Sequence, residues 1–85
     1  MTTIQITRHY SGLTNVADRF SVGNHEADGR AAMTEYNLPE GYEMQDAEIY
    51  DPTGYRCEIY PGDHGWPVLM GRYDQPEARL VEARA

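Results

Sequence analysis

The segment Asp51-Pro52-Thr53-Gly54 constrains the fold more than any other part of this 85-residue chain. Asp, Pro and Gly stand at the first, second and fourth positions, which is the residue preference of a type I turn. Gly54 can then adopt the left-handed conformation that closes a three-residue hairpin loop with a bulge. We therefore predict a β-hairpin with Gly54 at positive φ, between a strand over Tyr42–Asp51 and a strand over Tyr55–Tyr60.

The length of this loop decides which residues of the two strands face each other. A three-residue loop places the apolar and small side chains of both strands on one face, whereas a two-residue loop would divide them between two faces. The predicted inward pairs are Asp51 with Tyr55, Ile49 with Cys57 and Ala47 with Ile59. We expect Cys57 to be a buried, unreactive core residue.

The outward face of the same hairpin is predicted to be acidic and aromatic. The outward pairs are Glu48 with Glu58, Tyr50 with Arg56 and Asp46 with Tyr60. Like charges directly across two strands destabilise a sheet, so stability alone does not favour the first of these pairs. Both a solvated surface and a docking surface for basic side chains fit this pattern.

The segment after Asn24 is predicted to form a helix. Asn is a favourable N-cap residue, and an apolar stripe follows at the i, i+3, i+4, i+7 spacing of a helix face. The residues of that stripe are Gly29, Ala32, Met33 and Tyr36. Pro39 would end the helix at Asn37 or Leu38, because the residue before a proline disfavours helical backbone.

Alternation of apolar and polar residues predicts the remaining strands, over Thr2–Tyr10, Arg19–Gly23 and Trp66–Tyr73. Residues 75–85 are expected to form a short helix or an extended tail. The predicted order is β-β-α-β-β-β, an α+β fold in which one helix packs on one face of a mostly antiparallel sheet. The length favours a single domain over residues 1–85.

The formal charge of −7 is concentrated in one window of the chain. Between Glu35 and Asp63 there are eight carboxylates and one arginine, while the acids and arginines elsewhere cancel. The same window holds five of the seven tyrosines. The residues we expect to contact a partner are Asp46, Glu48, Glu58 and Tyr60, with Glu43, Tyr50 and Asp51 beside them. This composition favours a basic partner and disfavours direct binding to nucleic acid.

No catalytic or metal-binding pattern is found in the sequence. His9, His25 and His64 are far apart, and no histidine or carboxylate recurs at a metal-ligand spacing. We expect no enzyme activity and no cofactor. The single cysteine excludes an internal disulfide and favours a reducing compartment, so we expect a cytoplasmic protein without a membrane anchor.

The segment DRFSVGNHEADGRAAMTEY, which starts at Asp18 and is followed by acidic strands, resembles small phage and mobile-element proteins. Among these it is most similar to anti-CRISPR proteins, and the resemblance extends from Asp18 to Tyr60. It rests on architecture and charge, and no motif aligns residue by residue. The resemblance implies an inhibitor that covers a basic nucleic-acid-binding surface of a CRISPR effector subunit in the host cell.

The sequence thus predicts a small, acidic, non-enzymatic binding protein, as a monomer or weak homodimer. Two alternatives remain open. One is a structural or accessory phage subunit that acts through self-association. The other is a small-molecule or metal-binding domain that uses the loop around Trp66.

Overall fold

The computed structural model describes residues 2–25, 30–72, 74 and 76–83, and about half of these residues lie in β-strands. The strands are β1 (Thr3–His9), β2 (Arg19–Val22), β3 (Ala31–Asn37), β4 (Glu43–Gln45), β5 (Glu48–Tyr50), β6 (Arg56–Pro61), β7 (Pro67–Met70), β8 (Ala78–Arg79) and β9 (Val81–Glu82). The described residues contain one 3₁₀ turn, over Asp63–Gly65, and no helix of seven or more residues.

The strands form two antiparallel sheets. The first sheet has the order β2-β1-β3-β9 and the second has the order β4-β5-β6-β7-β8. Buried side chains from both sheets form one hydrophobic core. Its members are Ile4, Ile6, Tyr36, Leu38, Ile49, Cys57, Leu69 and Leu80. The predictions of strands near β1, β2 and β7 are confirmed.

The predicted helix, and with it the α+β class, is wrong. Residues 31–37 form β3, which pairs with β1 along its whole length, from Thr3 opposite Asn37 to His9 opposite Ala31. The reason is that β1 is an inner strand, whose backbone groups need partners on both edges. Within the segment, Tyr36 is buried in the core and lies opposite Ile4 of β1. Residues 26–29, where the helix was predicted to start, lie outside the described residues.

The hairpin at Gly54 is confirmed. Gly54 has a φ of +87°, Ile49 pairs with Cys57, and Tyr50 pairs with Arg56. The backbone N–H of Asp51 donates to the carbonyl of Tyr55, which closes the three-residue loop.

The strand predicted over Tyr42–Asp51 is instead a second hairpin. Asp46 and Ala47 have φ values of 52° and 64°, and they connect β4 to β5. Positive φ at both central residues is the signature of a type I′ turn, which matches the twist of a two-residue hairpin. The predicted pairs of Ala47 with Ile59 and of Asp46 with Tyr60 are therefore wrong. Tyr60 pairs with Val68 of β7.

The C-terminal segment does not form the short helix considered for residues 75–85. It forms β8, which pairs with β7 of the second sheet, and β9, which pairs with β3 of the first sheet. Leu80, between them, is only 1% exposed. The chain thus passes from one sheet to the other at Leu80, and burial of this side chain compensates for the shortness of both strands. Residues 75, 84 and 85 lie outside the described residues.

The loop after β6 packs tightly on the loop between β1 and β2. Gly65 has a φ of +71°, and a Cβ atom there would lie 2.9 Å from the carbonyl oxygen of Ala17 and would overlap Val16. Gly54 also has a positive φ, but a Cβ atom there would meet nothing within 4 Å. A substitution at Gly54 would therefore introduce backbone strain alone, whereas the same substitution at Gly65 would introduce both backbone strain and steric overlap.

We predict that Gly54→Ala lowers the free energy of unfolding by about 1 kcal/mol, because alanine disfavours the left-handed region. Gly65→Ala should cost clearly more, since overlap with Val16 and Ala17 adds to the same strain. Denaturant titration of both variants measures the difference. Equal losses would contradict the close packing at Gly65.

Candidate protein-docking site

The outward side of β5 and β6 carries a connected set of polar side chains, which we name the acidic face: Glu48, Tyr50, Arg56, Glu58 and Tyr60. Each tyrosine lies two residues after a glutamate on the same strand, so both side chains point outward together. The hydroxyl of Tyr50 donates to Oε2 of Glu48 at 2.9 Å. The hydroxyl of Tyr60 donates to Oε2 of Glu58 at the same distance. Both carboxylates are thereby held in place at the surface.

Arg56 lies between the two glutamates. One terminal guanidinium nitrogen lies 3.4 Å from Oε1 of Glu48, and the other lies 3.4 Å from Oε1 of Glu58. This shared cation offsets the repulsion that the sequence predicts for the glutamate pair. All three side chains are about half exposed, and ion pairs of this kind contribute little to stability. The acidic face therefore keeps a net negative charge and a weakly held arginine.

The two tyrosines are fixed as hydrogen-bond donors. The hydrogen bond to Glu48 raises the pKa of Tyr50 above its ordinary value of 10.0. The hydrogen bond to Glu58 raises the pKa of Tyr60 in the same way. The direction follows because a deprotonated phenol could not donate and would lie beside a carboxylate. Both phenols thus stay protonated and keep the glutamates oriented at neutral pH.

Two more of the predicted contact residues lie next to the acidic face. Glu43 of β4 is opposite Tyr50 and shares its side of the sheet. Asp46 is exposed in the turn between β4 and β5. The hairpin of β4 and β5 thus brings Glu43 beside the acidic face and leaves Asp46 at its tip.

Asp51 is not part of this surface. It is 4% exposed, and its Oδ1 accepts hydrogen bonds from the N–H and hydroxyl of Thr53 and from the N–H of Tyr55. The hydroxyl of Thr53 is the largest cause of a lowered pKa for Asp51, with the two N–H donors and the charge of Arg72 acting in the same direction. Aspartate at the first position of a turn commonly makes such bonds. The carboxylate stabilises the Gly54 hairpin and does not face a partner.

Met70 and Tyr55 are exposed residues that the sequence prediction missed. Met70 is opposite Glu58 on β7 and is 45% exposed. Tyr55, predicted to face inward, lies just before β6 and is 52% exposed. Together with Arg56, Glu58, Tyr60 and Gly71 they border a shallow depression of about 290 Å³. Alternation with the buried Leu69 was the sequence signal that could have placed Met70 on this side.

The loop at Trp66 is the site of the small-molecule alternative predicted from the sequence. The Trp66 side chain is engaged in contacts with other residues of the chain. The indole N–H donates to the carbonyl of Leu80 at 2.6 Å. Tyr36 packs edge-to-face on the ring at 5.9 Å, and the Arg79 guanidinium lies 4.9 Å from its centroid. Trp66 therefore ties the loop to the core and to the crossing between the sheets.

A histidine–serine contact lies on the other side of the first sheet. Nε2 of His9 is 2.9 Å from the hydroxyl of Ser21 on the neighbouring strand. Beside it, the fully buried Thr7 donates to the carbonyl of Gly23 and accepts from the N–H of His25. These bonds attach the end of β2 to β1, and we interpret them as structural.

Neither a metal cluster nor a membrane helix is found in the described part of the chain. No group of three or more histidine, cysteine, aspartate or glutamate side chains there is placed to hold a metal ion. None of the helices there is long and apolar enough to cross a membrane. Comparison of the chain with protein-family models, curated proteins and solved structures finds no match.

Because the folded state lowers the pKa of Asp51, this group contributes stability above the ordinary pKa of 3.8 and loses it as the pH falls below that value. We predict a steeper fall in unfolding free energy between neutral pH and pH 3 for the native protein than for Asp51→Asn. Asparagine keeps an acceptor for Thr53 and Tyr55 but does not titrate. Parallel pH profiles of the two proteins would contradict this role.

Burial raises the pKa of the Cys57 thiol, and the nearby Asp51 acts in the same direction. Since the thiolate is the reactive form, we predict that an aromatic disulfide reagent labels Cys57 slowly at neutral pH. Labelling should become fast in denaturant, with free glutathione as the control for reagent activity. Fast labelling of the folded protein would show that Cys57 is accessible.

Proposed function

We propose that this protein is a small non-enzymatic binding protein whose acidic face docks on a basic, nucleic-acid-binding surface of another protein. The observation that carries the proposal is the pair of exposed carboxylates, Glu48 and Glu58, each oriented by a tyrosine hydroxyl. Oriented carboxylates can occupy arginine and lysine sites that otherwise hold phosphates, through charge-assisted hydrogen bonds.

The weak internal ion pairs of Arg56 support this function. At 3.4 Å and about half exposed, its bonds to Glu48 and Glu58 can be exchanged for shorter bonds to a partner's guanidinium at small cost. Tyr50 and Tyr60 add rigid contact area of the kind that is enriched at protein interfaces. The net charge of −7 would also speed encounter with a basic surface.

The resemblance to anti-CRISPR proteins makes a CRISPR effector subunit in the host cytoplasm the first partner to test. A buried free thiol suits that reducing compartment. Inhibition would follow from occupation of the guide or target channel, because the effector cannot hold nucleic acid and the acidic face at the same place.

Self-association, as an accessory subunit, is less well supported through this face. A two-fold contact would set Glu48 and Glu58 of one copy against the same acids of another, which is unfavourable. The small-molecule alternative is also weakened, because the ring of Trp66 already contacts Tyr36 and Arg79.

The test is competition between this protein and labelled nucleic acid for purified CRISPR effectors. We predict that Glu48→Gln with Glu58→Gln weakens inhibition by about tenfold or more, since hydrogen bonds to charged groups contribute ~1.5–3 kcal/mol each. The loss should be larger at low salt than at high salt. Glutamine keeps the acceptor for each tyrosine, so the fold should be retained.

The matched control is Glu40→Gln with Glu77→Gln, which removes the same charge from exposed positions outside the acidic face. It should inhibit almost as well as the native protein. Equal losses in both double variants would mean that net charge alone matters. Absence of competition with every effector would remove the CRISPR proposal.

A further inference from the structure

The shallow depression beside the acidic face is bordered by large exposed side chains. It lies on the outward side of β6 and β7, and its volume is about 290 Å³. Tyr55, Tyr60 and Met70, which border it, are 52%, 44% and 45% exposed. Single exposed apolar side chains are ordinary, whereas a group of them around one depression favours an interaction site. We name this depression the Met70 pocket, and the residues that line it are Tyr55, Arg56, Glu58, Tyr60, Met70 and Gly71.

Gly71 contributes only backbone atoms to the Met70 pocket. The core side of this residue is filled, because a Cβ atom there would lie 3.1 Å from Sγ of Cys57. The ring of Tyr55 lies beside the same position, with its Cδ1 atom at 3.7 Å. Gly71 therefore separates the pocket from the core by backbone alone, and Tyr55 forms the adjacent wall.

Two carboxylates give the Met70 pocket a negative charge. Glu58 lines it, and the hydroxyl of Tyr60 holds Oε2 of this glutamate at 2.9 Å. Asp51 lies behind Gly71, since its Oδ2 would be 3.3 Å from a Cβ atom at that glycine. This buried oxygen accepts no hydrogen bond from the described residues. Its charge attracts a nearby cation more strongly than an exposed charge does, because a protein interior screens less than water.

The neighbouring arginines leave Glu58 open to another cation. Arg72, directly after Gly71, donates two hydrogen bonds to Asp74, at 3.1 and 2.9 Å. Arg56 lies 3.4 Å from Glu58 and equally far from Glu48. It can therefore keep its contact with Glu48 when a second cation takes its place at Glu58.

The size and chemistry of the Met70 pocket fit one long cationic side chain. Sites for drug-sized molecules start at about 300 Å³, so this pocket is suited to a single side chain. A planar guanidinium can stack on an aromatic ring and donate in parallel to a carboxylate, whereas an ammonium acts as a point charge.

We propose that the Met70 pocket binds one arginine side chain of the partner protein, with the guanidinium on Glu58 and the aliphatic stem against Met70. The rings of Tyr55 and Tyr60 supply the aromatic walls for this cation. Such an arginine would anchor the interface, in the way that a few central residues carry most of the binding energy. The inference deepens the proposed function and rests on it for the basic character of the partner.

The probe is a capped Gly-Arg-Gly peptide, with two control peptides in which citrulline or lysine replaces the arginine. Citrulline keeps the shape and removes the charge, and lysine keeps the charge and removes the planar group. Binding is followed by NMR at the Met70 methyl group and the Gly71 amide. Met44, which is 39% exposed and does not line the pocket, is the internal reference.

We expect the arginine peptide to shift the Met70 and Gly71 resonances to saturation, with a Kd on the order of millimolar for a single side chain. The Met44 methyl resonance should stay unchanged. The lysine peptide should bind more weakly, and the citrulline peptide should not bind. Absence of a saturating shift at Met70 and Gly71, or equal binding by either control peptide, would overturn the inference.

Variants of the protein test the two contacts separately. Met70→Ala removes the apolar wall without a change of charge and should weaken binding of the arginine peptide by on the order of fivefold. Met44→Ala is the matched control, because it removes the same side chain outside the pocket. Glu58→Gln should weaken binding by about tenfold. Thermal unfolding checks that each variant is folded, and equal binding by the two methionine variants would overturn the inference.

Competition with labelled nucleic acid for CRISPR effectors separates this inference from the proposed function. If Met70→Ala inhibits as well as the native protein while the Glu48→Gln, Glu58→Gln protein does not, the acidic face stands and the Met70 pocket falls. If the arginine peptide saturates the pocket and no effector is inhibited, the pocket stands and the CRISPR partner falls. Shifts at Met70 and Gly71 that appear without peptide and rise with protein concentration would assign the pocket to a second copy of the chain, against this proposal.

Discussion

The position of β1 as an inner strand is the constraint on which the rest of the structure depends. Its backbone pairs with β2 on one edge and with β3 on the other. Ile4 and Ile6 then enter the core from its middle, at 1% and 0% exposure. Any other state of the segment after Asn24 would leave the β3 edge of β1 without hydrogen bonds inside the protein, which is more costly than a weak local preference for helix.

Several packing contacts follow from β3 being a strand. Tyr36 reaches the core and meets the ring of Trp66 edge-to-face. The indole N–H in turn holds the carbonyl of Leu80, where the chain crosses between the sheets. The N–H of Ala83 donates to the carbonyl of Glu35, which fixes the last described residues to β3. Closure of one side of the molecule is therefore linked to the pairing of β1.

The other side is organised by two consecutive hairpins. The turn at Asp46 and Ala47 folds β4 back on β5, and the loop at Gly54 joins β5 to β6. This arrangement displays Glu48 and Glu58 outward, each beside the tyrosine that hydrogen-bonds to it. The acidic face is therefore the outward side of the second of these hairpins.

The sequence by itself determined the features set by neighbouring residues. The turn chemistry of Asp51 and Gly54 was sufficient to predict the loop, and the loop length was sufficient to predict that Ile49 pairs with Cys57 and Tyr50 with Arg56. That register places Glu48, Tyr50 and Arg56 on one outward side, so most of the candidate site could be predicted without coordinates.

Only the tertiary structure decided features that depend on distant partners. The stripe of Ala32, Met33 and Tyr36 has the spacing of a helix face. The segment is nevertheless a strand, because the second edge of β1 needs a hydrogen-bonding partner. The positive φ of Ala47 has no local signal, because alanine gains nothing from that conformation. Leu80 joins the sheets only because a core already exists for it to enter. Local chemistry fixed the loop at Gly54 and the faces of its hairpin, whereas long-range pairing decided that the ambiguous segment before Leu38 became a strand and not a helix.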